Sequence, residues 1–79
     1  MTVRVVYFAL LREQAGLSEE DLDTSAATPD ALFAEIANRH GLTAPKASLR
    51  VAINEDFAAW DAPLSVGDTV AFLPPVAGG

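Results

Sequence analysis

The sequence predicts an α+β domain in two layers, one main helix against a mixed sheet of four to five short strands. Three observations carry that prediction. The segment from Thr28 to Gly41 has the capping residues and the spacing of a complete helix. Short runs rich in β-branched and aromatic residues lie on both sides of it in the chain. With 79 residues there is too little chain for two cores, so all these elements must share one.

The first element, residues 3–9, is a strand of Val, Arg, Tyr, Phe and Ala. Val6 and Phe8 share one face, and Val3, Val5 and Tyr7 the other. Apolar residues on both faces predict a strand with a neighbour on each side. Leu10 to Ala15 reads as one or two helical turns closed by Gly16, which can take the left-handed conformation that ends a helix. Residues 19–25 are polar and alternate weakly, as an exposed edge strand does. In the main helix Thr28 is the N-cap, Pro29 fills the first helical position and Asp30 complements the positive helix end. Leu32, Phe33, Ile36 and Ala37 form its apolar face, Arg39 and His40 occupy the last turn, and Gly41 stops it.

After a loop containing Pro45, Leu49 to Ile53 alternates as a strand with Leu49, Val51 and Ile53 inward. Asn54-Glu55-Asp56 is turn chemistry, and Phe57 to Trp60 is the returning strand. Asp61-Ala62-Pro63 breaks it, Val66-Gly67-Asp68 is another turn, and Thr69 to Leu73 is the last strand, with Val70 and Phe72 on one face. A β-grasp roll satisfies this order. A ferredoxin-like fold would need a second full-length helix, which residues 10–15 are too few to make. Residues 1–73 are thus the expected domain, and 74–79 an extended, protruding tail.

Five basic against eleven acidic residues leave a formal charge of −6. Such a surface repels phosphate backbones, so nucleic acid is a poor partner, and a protein partner should be electropositive. With no cysteine, disulfides and cysteine-rich metal sites are excluded, and with one histidine neither a histidine-based zinc cluster nor any other metal site is expected. No apolar run approaches the roughly 20 residues that span a bilayer. The run from Val5 to Leu11 meets Arg12 and Glu13 at once and has no cleavage pattern after it, so it is a strand rather than a leader. A cytoplasmic protein without membrane attachment is the expectation.

Few side chains stand out chemically. Gly16, Gly41 and Gly67 are isolated and form no phosphate loop. Nothing marks Ser18, Ser25, Ser48 or Ser65 as a nucleophile. His40 reads as a surface residue of a final helical turn, and Glu19, Glu20, Asp21 and Asp23 as a solvated acidic face. Phe57 and Trp60 present an aromatic patch or, more commonly, pack half-buried near strands. Arg12 and Arg50 either meet a partner's carboxylates or form exposed ion pairs of small value.

The C-terminus is different. Pro74 and Pro75 cannot continue a sheet ladder and hold the exit extended. Val76 and Ala77 follow, and Gly78 and Gly79 are the slimmest chain available. Six residues reach about 20 Å, enough to enter a deep cleft in another protein. The carboxylate of Gly79 is then the one distinct group that the chain delivers anywhere. A carboxylate must be activated, for example as an acyl-adenylate, before a nucleophile can displace it. Without cysteine, any sulfur chemistry has to use that terminus as carrier, with thiols supplied by partners.

Three blocks give the chain a family likeness: Tyr7 to Gly16, Val51 to Asp56, and Pro63 through the Pro74-Pro75-Val76-Ala77-Gly78-Gly79 ending. In this order, with the capped helix between them, they resemble the small-subunit family of molybdopterin synthase, sulfur carriers with a ubiquitin-like β-grasp fold. The resemblance implies that an activating enzyme adenylates Gly79 using ATP and magnesium, and that a persulfide relay converts it to a thiocarboxylate. The tail would enter the large, catalytic subunit and donate sulfur to a cyclic pyranopterin, building the molybdopterin dithiolene. The carrier itself is then a non-catalytic subunit that binds no cofactor. Gly78 permits passage, Pro74 and Pro75 direct the tail, and Phe8, Leu10, Arg12 and Phe72 are the docking candidates. Two large plus two small subunits is the assembly implied.

Three other readings use the same residues. The carrier could serve thiazole, cysteine or tRNA thiolation. Gly79 could be joined to lysines as in a ubiquitin-like modifier. Or the domain could be a binding module with an idle tail.

Overall fold

The computed structural model describes residues 1–74; Pro75, Val76, Ala77, Gly78 and Gly79 lie outside the described residues. The chain runs β1 (Thr2–Tyr7), α1 (Ala9–Ala15), β2 (Glu19–Asp23), α2 (Pro29–His40), β3 (Arg50–Ile53), β4 (Asp56–Ala58) and β5 (Thr69–Leu73), with a 3-10 turn at Lys46–Ser48. One five-stranded sheet has the order β2-β1-β5-β3-β4. β1 and β5 run parallel, and the other pairs are antiparallel. The expected α+β roll is therefore present, and β1 has a neighbour on each side, as its two apolar faces require.

α2 follows its capping residues. The Thr28 hydroxyl accepts from the Ala31 amide, Pro29 occupies the first turn, and Gly41 ends the helix in the left-handed region at φ 67°. Leu32, Phe33 and Ile36 face the sheet and meet Val3, Val5, Tyr7, Leu22, Val51, Val70 and Phe72. Leu11 of α1 closes the same core, and Gly16 caps that helix at φ 80°.

Several boundaries differ from the sequence expectation. β1 ends at Tyr7, and Phe8 is an extended residue that leads into α1. The turn after β3 uses Asn54 and Glu55, both at positive φ, so Asp56 already belongs to β4. Trp60 lies outside β4 and stacks on Phe72 with centroids 5.6 Å apart. Leu49 ends the 3-10 turn instead of opening β3, yet its side chain reaches the core as expected. Phe57 is 64% exposed, as an aromatic patch would be and not half-buried, because the side of the sheet it occupies is not covered by α2.

Candidate functional site

β5 positions the site. It is the central strand, with β1 on one side and β3 on the other, and Tyr7 pairs with Phe72 and Arg50 with Leu73 at its end. Its start is fixed by a hydrogen-bonded knot. The Thr69 amide donates to Asn54 Oδ1 at 2.9 Å, Asn54 Nδ2 donates to Asp68 Oδ1 at 2.9 Å, and the Ser65 amide donates to Asp68 Oδ2 at 2.8 Å. A strand held on both edges and pinned at its start leaves little freedom in where Pro74 emerges.

Alternation along β5 divides its side chains. Val70 and Phe72 point to α2 and are 0% exposed, whereas Thr69, Ala71 and Leu73 point to the open side of the sheet. On that side Val6, Phe8, Ala52, Glu55 and Phe57 join them around a hollow of about 350 Å³. A second hollow, about 310 Å³, lies where Phe8, Ala9, Leu10 and Leu11 face Thr43, Ala44, Pro45, Ser48 and Leu49, and Pro74 lines it. Phe8 borders both hollows, so Pro74 leaves the sheet within one largely apolar surface. Exposed apolar surface of this kind marks interaction sites.

Of the docking candidates, Phe8 and Leu10 are 42% and 48% exposed and lie on this surface. Arg12 is exposed on α1. Phe72 is corrected: it is wholly buried between Phe33 and Trp60 and supports the surface from beneath. Val6, Ala52, Ala71 and Leu73 were missed, whereas the sequence itself singles out Phe57 as part of an aromatic patch. The signal was present in the alternation of β5, whose second face also stays apolar at Ala71 and Leu73.

The acidic segment is also corrected in part. Glu20 is not solvated: it accepts a hydrogen bond from the buried Tyr7 hydroxyl, and His40 Nε2 lies 2.6 Å from Glu20 Oε2. Arg39 stands 3.5 Å from the other oxygen. Desolvation works against the Glu20 carboxylate, yet the hydrogen bonds from Tyr7 and His40 outweigh it and hold its pKa below the ordinary glutamate value. Burial first, then Glu20, pushes the Tyr7 hydroxyl well above the usual phenol range. His40 is therefore a half-buried tie between α2 and β2, not a free surface base. Among the described residues no three His, Asp or Glu side chains are grouped to hold a metal, and no helix is long and apolar enough to cross a membrane. The described part thus offers a largely apolar surface beside the strand that ends at Pro74.

The family model described as the ThiS family matches residues 5–79. The chain belongs to the ThiS family. It is 35% identical over 80 residues to the molybdopterin synthase sulfur carrier subunit of Escherichia coli strain K12, covering 98% of this chain and 99% of that one. A Pyrococcus furiosus protein assigned as subunit 1 of a molybdopterin converting factor has the same fold, with a TM-score of 0.78 and 32% identity over 95% and 98% of the two chains. A chain in a complex of subunits 1 and 2 of the Helicobacter pylori 26695 molybdopterin-converting factor matches over 100% of this chain and 100% of that one, with a TM-score of 0.70 and 26% identity. The chain shares the ubiquitin-like β-grasp fold of these structural neighbours.

Proposed function

We propose that this ThiS-family chain is the sulfur-carrier subunit of a molybdopterin synthase, with the carboxylate of Gly79 as the carrying group. The observation that carries this reading is the position of Pro74, at the end of the central strand and inside an apolar surface. The full-length likeness to carrier subunits of that synthase supports it. The carboxylate attacks the α-phosphorus of ATP on an activating enzyme, which supplies the magnesium, and pyrophosphate leaves. A relay enzyme's persulfide then displaces AMP to give an acyl disulfide, and a second thiol on the relay cleaves its S–S bond, forming a disulfide there and releasing the thiocarboxylate on Gly79. Gly78, Ala77, Val76 and Pro75 thread into a large subunit that holds the pyranopterin precursor and the catalytic side chains. Two successive carriers deliver the two sulfurs of the dithiolene. The carrier lowers the barrier by tethering its reactant at high effective concentration, not by side-chain chemistry. Phe8, Leu10 and Arg12 meet the large subunit around the tail, in an assembly of two large and two small subunits, and the work is cytoplasmic.

The test is intact mass after incubation with the activating enzyme, ATP and a sulfur donor, with fragmentation of the C-terminal peptide. Exchange of one oxygen for sulfur adds about 16 Da, a gain that oxidation of Met1 also gives, so it must be localised to Gly79. An unmodified terminus overturns the proposal, and conjugates stable to reductant would replace it with a protein-modifier function.

A further inference from the structure

Arg50 opens β3 directly opposite Leu73, one residue before the tail begins. Of the five Lys and Arg side chains, Arg4, Arg39 and Lys46 each hold a carboxylate. Arg12 and Arg50 pair with none among the described residues. Arg50 differs from Arg12 in being held. Its guanidinium lies over the Phe57 ring, 4.1 Å from the centroid. Stacking on an aromatic face restricts the side chain while leaving the in-plane N–H donors free, the arrangement that suits two-point recognition of a carboxylate.

Phe57 also lines the hollow on the open side of the sheet, so the stacked cation stands at the edge of the docking surface. A macromolecule that covers this hollow removes water from Arg50 as well. A guanidinium buried without an anion is strongly destabilising, whereas one given a well-aligned carboxylate is compensated. Glu55, the acidic residue lining the same hollow, belongs to the turn at the opposite end of β3 and makes no ion pair with Arg50. Among the described residues no carboxylate supplies that anion, which leaves the place open to one from a partner. In a chain of net charge −6, Arg50 places a positive charge at the edge of the docking surface.

We propose that Arg50, held on Phe57, is a specificity-determining residue that recognises a carboxylate on the large synthase subunit. The proposal rests on the sulfur-carrier reading above and extends it from a face to a charge requirement on the partner. It predicts that partners with an apolar ridge but no carboxylate opposite β3 are discriminated against.

The experiment is calorimetric titration of the full chain into the large subunit at about 50 and 300 mM salt, where screening lengths differ by more than twofold. Wild type, Arg50→Gln, Arg50→Glu and Arg50→Lys are compared, with Tm measured for each. The expected result is a Kd weakened about three- to tenfold in Arg50→Gln and more than about tenfold in Arg50→Glu, with Arg50→Lys between wild type and Arg50→Gln. The affinity of Arg50→Gln should also depend less steeply on salt than that of wild type, which a merely structural role would not produce. Unchanged Kd and salt dependence in Arg50→Gln and Arg50→Glu overturn the proposal, as does a loss of affinity that only follows a loss of Tm. Failure of the carrier reading is seen separately, as absence of binding by wild type or absence of sulfur on its Gly79, and the proposal falls with it.

Discussion

The two faces of β5 carry similar residue types to different ends. Val70 and Phe72 lie under α2 with no exposure, while Ala71 and Leu73 on the other face stay partly open to solvent. The same contrast holds for the phenylalanines, with Phe72 and Phe33 in the core and Phe8 and Phe57 outside it. One face of the sheet has its cover built into the chain, and the other leaves its apolar area uncovered. A small domain that leaves apolar area uncovered forgoes stability it can scarcely spare, which is the physical mark of a surface kept for a partner.

The largest way to break this contrast is Phe72→Ala, which removes a ring packed against Phe33 and Trp60. It should cost about 3–5 kcal/mol in urea unfolding, a large share of the total for a domain of this size. Phe8→Ala should do the opposite. Stability should change by less than about 1 kcal/mol, whereas affinity for the large subunit should fall about tenfold, as truncation of a central apolar anchor does. A Phe8 variant that unfolds the domain but binds normally would remove the distinction between the faces.

Glu20→Gln sharpens the comparison from the covered side, because Glu20 ties β2 to Tyr7 and His40. It should cost about 1–2 kcal/mol at neutral pH. Because the folded pKa of Glu20 is depressed, its stabilising contribution is full above the unfolded value and is lost as pH falls through the folded one. The gap between wild type and variant should therefore close in acid, below the ordinary glutamate range, in a series of thermal melts. The smallest effect is a gain. Glu55 sits at φ 74°, so Glu55→Gly should raise stability by up to about 1 kcal/mol, as an Asn-Gly turn suits this hairpin.

Much of the fold was legible locally. The caps of α2, the glycine that ends α1 and the alternation of β5 are encoded within a few residues of where they act, so their positions followed from the chain. The elements that went astray depend on residues distant in sequence. Trp60 leaves β4 because Phe72 and Phe33 offer it a stacking site, with Phe33 at 5.7 Å between ring centroids. Glu20 looked like part of a solvated acidic run, and became a half-buried tie because β2 pairs beside β1 under the end of α2.

The sequence by itself determined the class of fold, the strand that leads to the tail and the family likeness, because spacing, caps and motifs are properties of neighbouring residues. Only the tertiary structure decided which face of β5 is covered, and hence that Phe72 supports the surface while Leu73, Ala71 and Phe57 form it. It also decided that Arg50 is stacked beside that surface with no ion pair among the described residues. Period-two alternation assigns side chains to two faces without saying which face a helix will cover. That choice belongs to packing, where the helix carrying Leu32, Phe33 and Ile36 can bury one side of the sheet and must leave the other.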